Sequence, residues 1–156
     1  MMLNGIFMAT VLPVSWAQGS GDFNAILISS AVSANLGMII WFLTRSKKKE
    51  LSKRDGYLIV TLGWIILGIT GSLPFILSGN ITSFASAFFE TMSGYTTTGA
   101  SILNNIEALP AGVMLWRSMT QWIGGMGIIV LTVALLPLFG VGGMQLFMAE
   151  APGPSG

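Results

Sequence analysis

Cysteine and histidine are both absent from this chain of 156 residues. Without them the chain cannot form disulfides, thiolate or histidine-based catalytic centres, or zinc sites built from those ligands. Charged residues are scarce as well, at 8% of the chain, whereas a soluble globular domain carries roughly 25%. The formal net charge of +1 offers no general attraction for nucleic acid. With 53% hydrophobic residues, this composition indicates a membrane protein.

The basic residues lie close together and give the chain an orientation. Six of the seven are found between positions 45 and 54, with long uncharged runs on either side. Short loops rich in lysine and arginine stay on the cytoplasmic side of a membrane. A surface that binds nucleic acid or anionic lipid is the alternative, but the flanking apolar runs favour the topological signal. We therefore predict a basic cytoplasmic loop at residues 45–55. The six residues are Arg45, Lys47, Lys48, Lys49, Lys53 and Arg54.

Two apolar segments precede this loop. Residues 3–17 contain Pro13 and are shorter than the about 20 residues that a spanning helix needs. A cleaved signal peptide is one interpretation, but no positive charge precedes the apolar run, which favours a partial or kinked helix ending outside. Residues 24–44 are long enough to span from outside to inside, and we predict that residues 1–44 form peripheral membrane helices. Small residues that indicate close packing of the second helix are Ser29, Ser30, Ser33, Ala34 and Gly37.

A second pair of long apolar segments follows the loop, with residues 57–78 running outward and residues 113–139 running inward. Between them, residues 84–92 are compatible with a helix that is too short to cross the membrane. We predict an all-α integral membrane fold in which residues 56–140 form a transmembrane helix, a re-entrant pore loop and a second transmembrane helix, followed by a cytoplasmic tail at residues 141–156. Candidate caps of the short helix are Asn80, Thr82 and Ser83, its candidate stop is Gly94, and Pro74 is expected to kink or end the preceding span.

Four residues after the short helix have the composition of an ion filter. A dehydrated cation needs oxygen ligands without a full negative charge, and backbone carbonyls next to a glycine provide them. The C-terminal end of the short helix would add a partial negative charge. An ordinary external loop rich in threonine and glycine is the alternative, and the residues alone leave both open. The four candidate ligands are Thr96, Thr97, Thr98 and Gly99.

Two charged residues lie near this segment. Glu90 could set a negative potential at the mouth of a pore, but local hydrogen bonds that brace the filter are favoured, because a charge there must be satisfied. Arg117 could pair with Glu90 or Glu107, but an interfacial anchor whose long side chain reaches the outer surface is favoured.

The segment from Gly94 to Ser101, with the sequence GYTTTGAS, resembles the filter of the first repeat in the Trk/Ktr/HKT superfamily of potassium transporters. Further stretches resemble the bacterial Trk-type membrane subunit, in the same order and spacing, and the resemblance covers about residues 22–156. These stretches are Arg54–Tyr57, Leu73–Phe75, Trp116–Leu131 and Gly140–Pro154.

The resemblance implies four linked repeats of span, pore loop and span around one ion path, with each repeat contributing a filter segment. It implies potassium bound mainly at Thr97 and Thr98, with Thr96 and Gly99 flanking them. Glu90, Gly94, Ala100 and Ser101 are expected to support the filter. The chain ends within a family motif, so we expect the N-terminal part of a longer protein, with four assembling copies as the alternative.

The implied function is potassium uptake down an electrochemical gradient, not enzyme catalysis and without a cofactor. The alternative is a non-conducting membrane remnant or an assembly or regulatory protein. Implied partners are the lipid bilayer, the remaining pore repeats and a cytosolic nucleotide-binding regulatory subunit, with no nucleic acid. The implied location is the bacterial cytoplasmic membrane, with several spans, loop 45–54 in the cytoplasm and the filter loop facing outside.

Overall fold

The computed structural model describes residues 1–45 and 53–135, and all regular secondary structure within them is helical. The predicted basic loop falls mostly, and the predicted cytoplasmic tail entirely, outside the described residues, as do residues 136–139 of the last predicted span. The helices are α1 (Met2–Gln18), α2 (Phe23–Thr44), α3 (Lys53–Leu77), α4 (Phe84–Tyr95) and α5 (Ala111–Leu135), with a short 3-10 helix at Ile106–Ala108.

Helices α2 and α3 are long and apolar enough to cross a membrane, over Phe23–Thr44 and Leu58–Leu77. Helix α5 has 25 residues, which corresponds to about 38 Å. The outer face of α2 is covered by large exposed apolar side chains, including Ile39 and Phe42, as expected of a surface in contact with lipid. The predicted all-helical membrane fold is confirmed.

Helix α1 is one continuous helix that passes through Pro13 and ends at Gly19, whose φ is +57°. It packs closely on α2, where four members of the predicted stripe of small residues are buried and the fifth, Ala34, is partly buried. A Cβ added to Gly5 would lie 2.7 Å from the backbone nitrogen of Ala34, and one added to Gly37 would overlap the backbone of Met2. Small residues therefore allow the two backbones to approach each other, as predicted.

Asp22, between α1 and α2, joins this pair of helices to α5. Its buried carboxylate accepts hydrogen bonds from the hydroxyls of Ser15 and Ser20 and, at 2.8 Å, from the backbone N–H of Val113. Burial raises the pKa of Asp22, but these hydrogen bonds outweigh it, so the pKa lies below its ordinary value. Asp22 thus satisfies a free N–H group in the first turn of α5.

Helix α4 packs between α3 and α5. On α3, the missing side chain of Gly71 makes room for Thr91 and Tyr95. On α5, the indole Nε1 of Trp116 donates to the carbonyl of Gly71 at 2.9 Å, which joins α3 to α5 directly. With 12 residues, or about 18 Å, α4 is too short to span the membrane, and these contacts hold one of its faces against α3 and α5.

Two helices end at other residues than the sequence indicated. Helix α3 does not end at Pro74, the second of the two effects expected of this proline, but continues to Leu77. Helix α4 does not stop at Gly94 but continues to Tyr95, with Thr96 as its C-cap. Gly94 faces α5 instead, where an added Cβ would overlap the hydroxyl of Thr120. Close approach of the two helices is therefore the reason for a glycine at this position.

Candidate ion-binding segment

The segment Thr96–Gly99 folds back on the last turn of α4. The backbone N–H groups of Thr96, Thr97 and Thr98 donate to the carbonyls of Met92, Gly94 and Ser93, at 2.8, 2.9 and 3.0 Å. Three consecutive amide donors are thereby satisfied inside the protein. Within the described part of the chain, no residue donates a hydrogen bond to the carbonyl oxygens of Thr97, Thr98 or Gly99. These three carbonyls are available to an external partner.

Two residues of the segment have a left-handed backbone. Gly99 has a φ of +75°, as a filter glycine is expected to adopt, and Thr97 has a φ of +56°. A β-branched residue is rare in this region, and holding it there costs about 1–3 kcal/mol. Strain of this kind is concentrated at functional sites, where the surrounding structure enforces it. The sequence predicted the unusual backbone conformation at Gly99, but nothing in it indicated a left-handed conformation at Thr97.

The threonine hydroxyls brace the turn. The Thr96 hydroxyl donates to the carbonyl of Met92 at 2.8 Å and lies 2.8 Å from the hydroxyl of Thr98. The Thr97 hydroxyl donates to the carbonyl of Thr96 at 2.7 Å. Ser93 adds a bond that sequence reasoning missed, from its hydroxyl to the carbonyl of Ala100 at 2.6 Å. A serine in the last turn of a helix is common, so the sequence carried no sign of this contact.

The segment lies at the boundary between buried and exposed structure. Residues 96–100 are exposed, whereas residues 93–95, directly before them, are buried against α3 and α5. The open side of the segment is thus supported from behind by packed helices. The segment is therefore open on one side and supported on the other.

Glu90 connects α4 to the chain that returns from the segment and to α5. Its carboxylate accepts hydrogen bonds from the Ser101 hydroxyl at 3.0 and 3.1 Å, from the backbone N–H of Ile102 at 3.1 Å and from Nε of Arg117 at 2.6 Å. Arg117 is therefore an ion-pair partner of Glu90, which confirms the pairing that was the less favoured alternative from the sequence. The Ser101 hydroxyl also accepts from the backbone N–H of Leu103 at 3.1 Å.

A second buried contact joins α1 to Tyr95, the residue directly before the segment. The Tyr95 hydroxyl donates to Oδ1 of Asn4 at 2.6 Å. A Cβ added to Gly124 of α5 would overlap the Tyr95 carbonyl, so the backbone of Tyr95 lies directly against that helix. Sequence reasoning did not single out Asn4, because the pairing depends on two residues that are 91 positions apart.

Comparison with known proteins identifies the family. A family model named TrkH and described as a cation transport protein matches residues 23–155. The chain belongs to the TrkH family. The resemblance inferred from the filter segment and its flanking stretches is therefore confirmed, and the chain is a TrkH-family membrane protein.

Relatives within the TrkH family include the Trk system potassium uptake protein TrkH of Salmonella typhimurium, which is 54% identical over 125 residues, 79% of this chain and 26% of the relative. The TrkH protein of Halomonas elongata is 41% identical over 155 residues, 99% of this chain and 32% of the relative. The crystal structure of the potassium transporter TrkH from Vibrio parahaemolyticus matches with a TM-score of 0.74 and 42% identity, over 90% of this chain and 31% of that one. The chain thus spans about a quarter to a third of the length of these TrkH relatives.

Proposed function

We propose that this chain contributes one filter segment to a potassium-uptake pore. The observation that carries the proposal is the backbone of Thr96–Gly99, whose amide donors are satisfied by α4 while the carbonyls of Thr97, Thr98 and Gly99 have no donor among the described residues. The relatives are named as potassium uptake proteins, and these names support potassium as the transported ion.

Carbonyl oxygens can replace the water around a potassium ion without adding a charge that would trap it. In this segment Thr97 and Thr98 are the main ligands. Gly99 flanks them on one side, and Thr96, whose carbonyl already accepts from the Thr97 hydroxyl, flanks them on the other. The C-terminal end of α4 points its partial negative charge at the same place, which favours a cation. Potassium is the transported substrate, and no cofactor takes part.

A single segment supplies part of a filter, so the remaining pore repeats must come from the same protein or from further copies of the chain. In the proposed arrangement residues 1–44 form peripheral helices and residues 56–140 form the repeat of span, pore loop and span. The basic loop 45–55 and the tail 141–156 lie in the cytoplasm, and the filter faces outside. The location is the bacterial cytoplasmic membrane, and a cytosolic nucleotide-binding subunit is the proposed regulatory partner.

The test compares two glycines that share the same backbone conformation. Gly99 and Gly79 both have a φ of +75° and no atom within 4 Å of an added Cβ, but Gly79 lies in the turn after α3 and is not part of the segment. Gly99→Ser and Gly79→Ser therefore impose similar local strain. Both are made in the transport-competent assembly that contains this chain, and potassium uptake is measured with and without competing sodium in cells that lack other potassium uptake systems.

We expect Gly99→Ser to weaken the discrimination of potassium from sodium, and Gly79→Ser to leave it unchanged. The reason is that a serine at position 99 redirects a filter carbonyl, whereas one at position 79 strains a turn that contacts no ion. Equal selectivity in both variants and in the unmodified protein would refute the filter assignment. If combining the unmodified chain with the remaining pore repeats yields no potassium uptake at all, a non-conducting membrane protein is favoured instead.

A further inference from the structure

Helix α1 places a buried amide against the residue from which the filter segment starts. Asn4 is 4% exposed and Tyr95 is 2% exposed, and the Tyr95 hydroxyl donates to Oδ1 of Asn4 at 2.6 Å. Nδ2 of Asn4 donates in turn to the Thr70 hydroxyl of α3, at a longer 3.4 Å. Asn4 thereby joins α1 to both α4 and α3 at one point inside the bundle.

The buried pair of Asn4 and Tyr95 requires a hydrogen bond, which an apolar pair at the same positions would not. A buried amide or phenol hydroxyl destabilises the fold unless it is hydrogen-bonded, and the penalty is larger where water is excluded. Leucine at position 4 and phenylalanine at position 95 would fill nearly the same volume without that requirement. What the hydrogen bond adds is direction, since it fixes where the far end of the Tyr95 ring lies relative to α1.

Tyr95 is also held at its backbone. Its carbonyl lies against Gly124 of α5 so closely that an added Cβ at position 124 would overlap it. The residue is thus fixed at the carbonyl by α5 and at the hydroxyl by Asn4. Tyr95 is the last residue of α4, and Thr96 and the strained Thr97 follow it directly. The position of Tyr95 therefore determines where the filter backbone begins.

We propose that Asn4 is a positioning residue for ion selection, acting through the Tyr95 hydroxyl on the backbone of Thr96–Gly99. This inference rests on the proposed function of that segment. It assigns to α1, a helix outside the span, pore loop and span repeat, a part in setting the geometry of the filter.

The test is a double-mutant cycle of Asn4→Leu and Tyr95→Phe in the transport-competent assembly. The matched control is Ser33→Ala. Ser33 is equally buried and contacts α1 through Sδ of Met8 at 3.7 Å, but its hydroxyl has no hydrogen-bond partner on α4. Two quantities are measured for each variant: the discrimination of potassium from sodium in uptake, and the melting temperature of the purified protein.

We expect each single variant to reduce the potassium-to-sodium discrimination about three- to tenfold, the range that corresponds to one hydrogen bond. The double variant should be no worse than the poorer single variant, because both changes break the same link. Ser33→Ala should leave discrimination unchanged, whatever it does to the melting temperature.

A purely structural role predicts a different pattern, in which the melting temperature falls and discrimination stays constant, and that pattern would overturn the proposal. Losses that multiply in the double variant would also overturn it. If Asn4→Leu does not accumulate in the membrane, Tyr95→Phe decides alone, since it keeps the ring and removes the hydroxyl. Selectivity that is lost in Gly99→Ser but kept in Tyr95→Phe would reject this inference and leave the filter assignment standing.

Discussion

Arg117→Leu tests the ion pair that joins α5 to α4, the helix that directly precedes the segment Thr96–Gly99. The Glu90 side chain is 0% exposed and that of Arg117 is 13% exposed, and their shortest contact is 2.6 Å. Removing the arginine leaves a carboxylate fully enclosed, with the Ser101 hydroxyl and the Ile102 N–H as its remaining donors. Loss of one partner of a buried pair costs about 3–5 kcal/mol, and the complete burial of Glu90 places this variant in that range.

Glu90→Gln should be less damaging. Glutamine keeps an acceptor oxygen for Ser101 and Ile102 and loses the charge-assisted bond to Arg117, a loss of about 1.5–3 kcal/mol. The arginine side chain is 13% exposed, so its guanidinium can turn towards the protein surface, which limits the penalty. Adding Glu90→Gln to Arg117→Leu should therefore restore part of the lost stability, because no unpaired charge remains inside the bundle.

The measurement is the free energy of unfolding of the purified protein in mixed micelles, for both single variants and the double variant. Ser118→Ala is the control, since its exposed hydroxyl bonds to the carbonyl of Met114 within the same helix. A double variant no more stable than Arg117→Leu would refute the argument that an uncompensated buried charge dominates the effect. Wild-type stability of Arg117→Leu would refute it as well.

Three further outcomes are expected. Gly124→Ala should lower the free energy of unfolding by about 1–3 kcal/mol, because the added Cβ would overlap the Tyr95 carbonyl. Gly127→Ala is the control and should not destabilise the protein, because no described atom lies within 4 Å of its added Cβ. Unfolding of the two purified variants is compared. Thr97→Gly should raise the free energy of unfolding by about 1 kcal/mol through relief of the left-handed strain, while uptake assays show weaker ion selection. The pKa of Asp22 is lowered in the folded protein, so its carboxylate stabilises the fold fully at a pH above 3.8, the ordinary pKa, and loses this effect as the pH falls below 3.8. The difference in melting temperature between the unmodified protein and Asp22→Asn should shrink over that acidic range.

Local properties of the sequence were enough to predict the class of protein and the positions of its helices. The span predicted at residues 24–44 corresponds to α2 at Phe23–Thr44, and the short helix predicted at residues 84–92 corresponds to α4 at Phe84–Tyr95. Hydropathy and length decide whether a segment can cross a membrane, and both belong to a continuous stretch of residues. The candidate filter segment could be proposed for the same reason, since its four residues are contiguous.

The contacts that hold that segment in place depended on the tertiary structure. Arg117 pairs with Glu90 across 27 residues of sequence, and the Tyr95 hydroxyl reaches Asn4 across 91. Gly94, which was expected to end a helix, is a point of close approach to Thr120, and Thr97 adopts a left-handed backbone in addition to Gly99. Each of these depends on which helices become neighbours and at what distance. The local sequence can indicate that a polar residue lies within an apolar helix and will need a hydrogen-bond partner. Which residue becomes that partner depends on how the helices pack against each other.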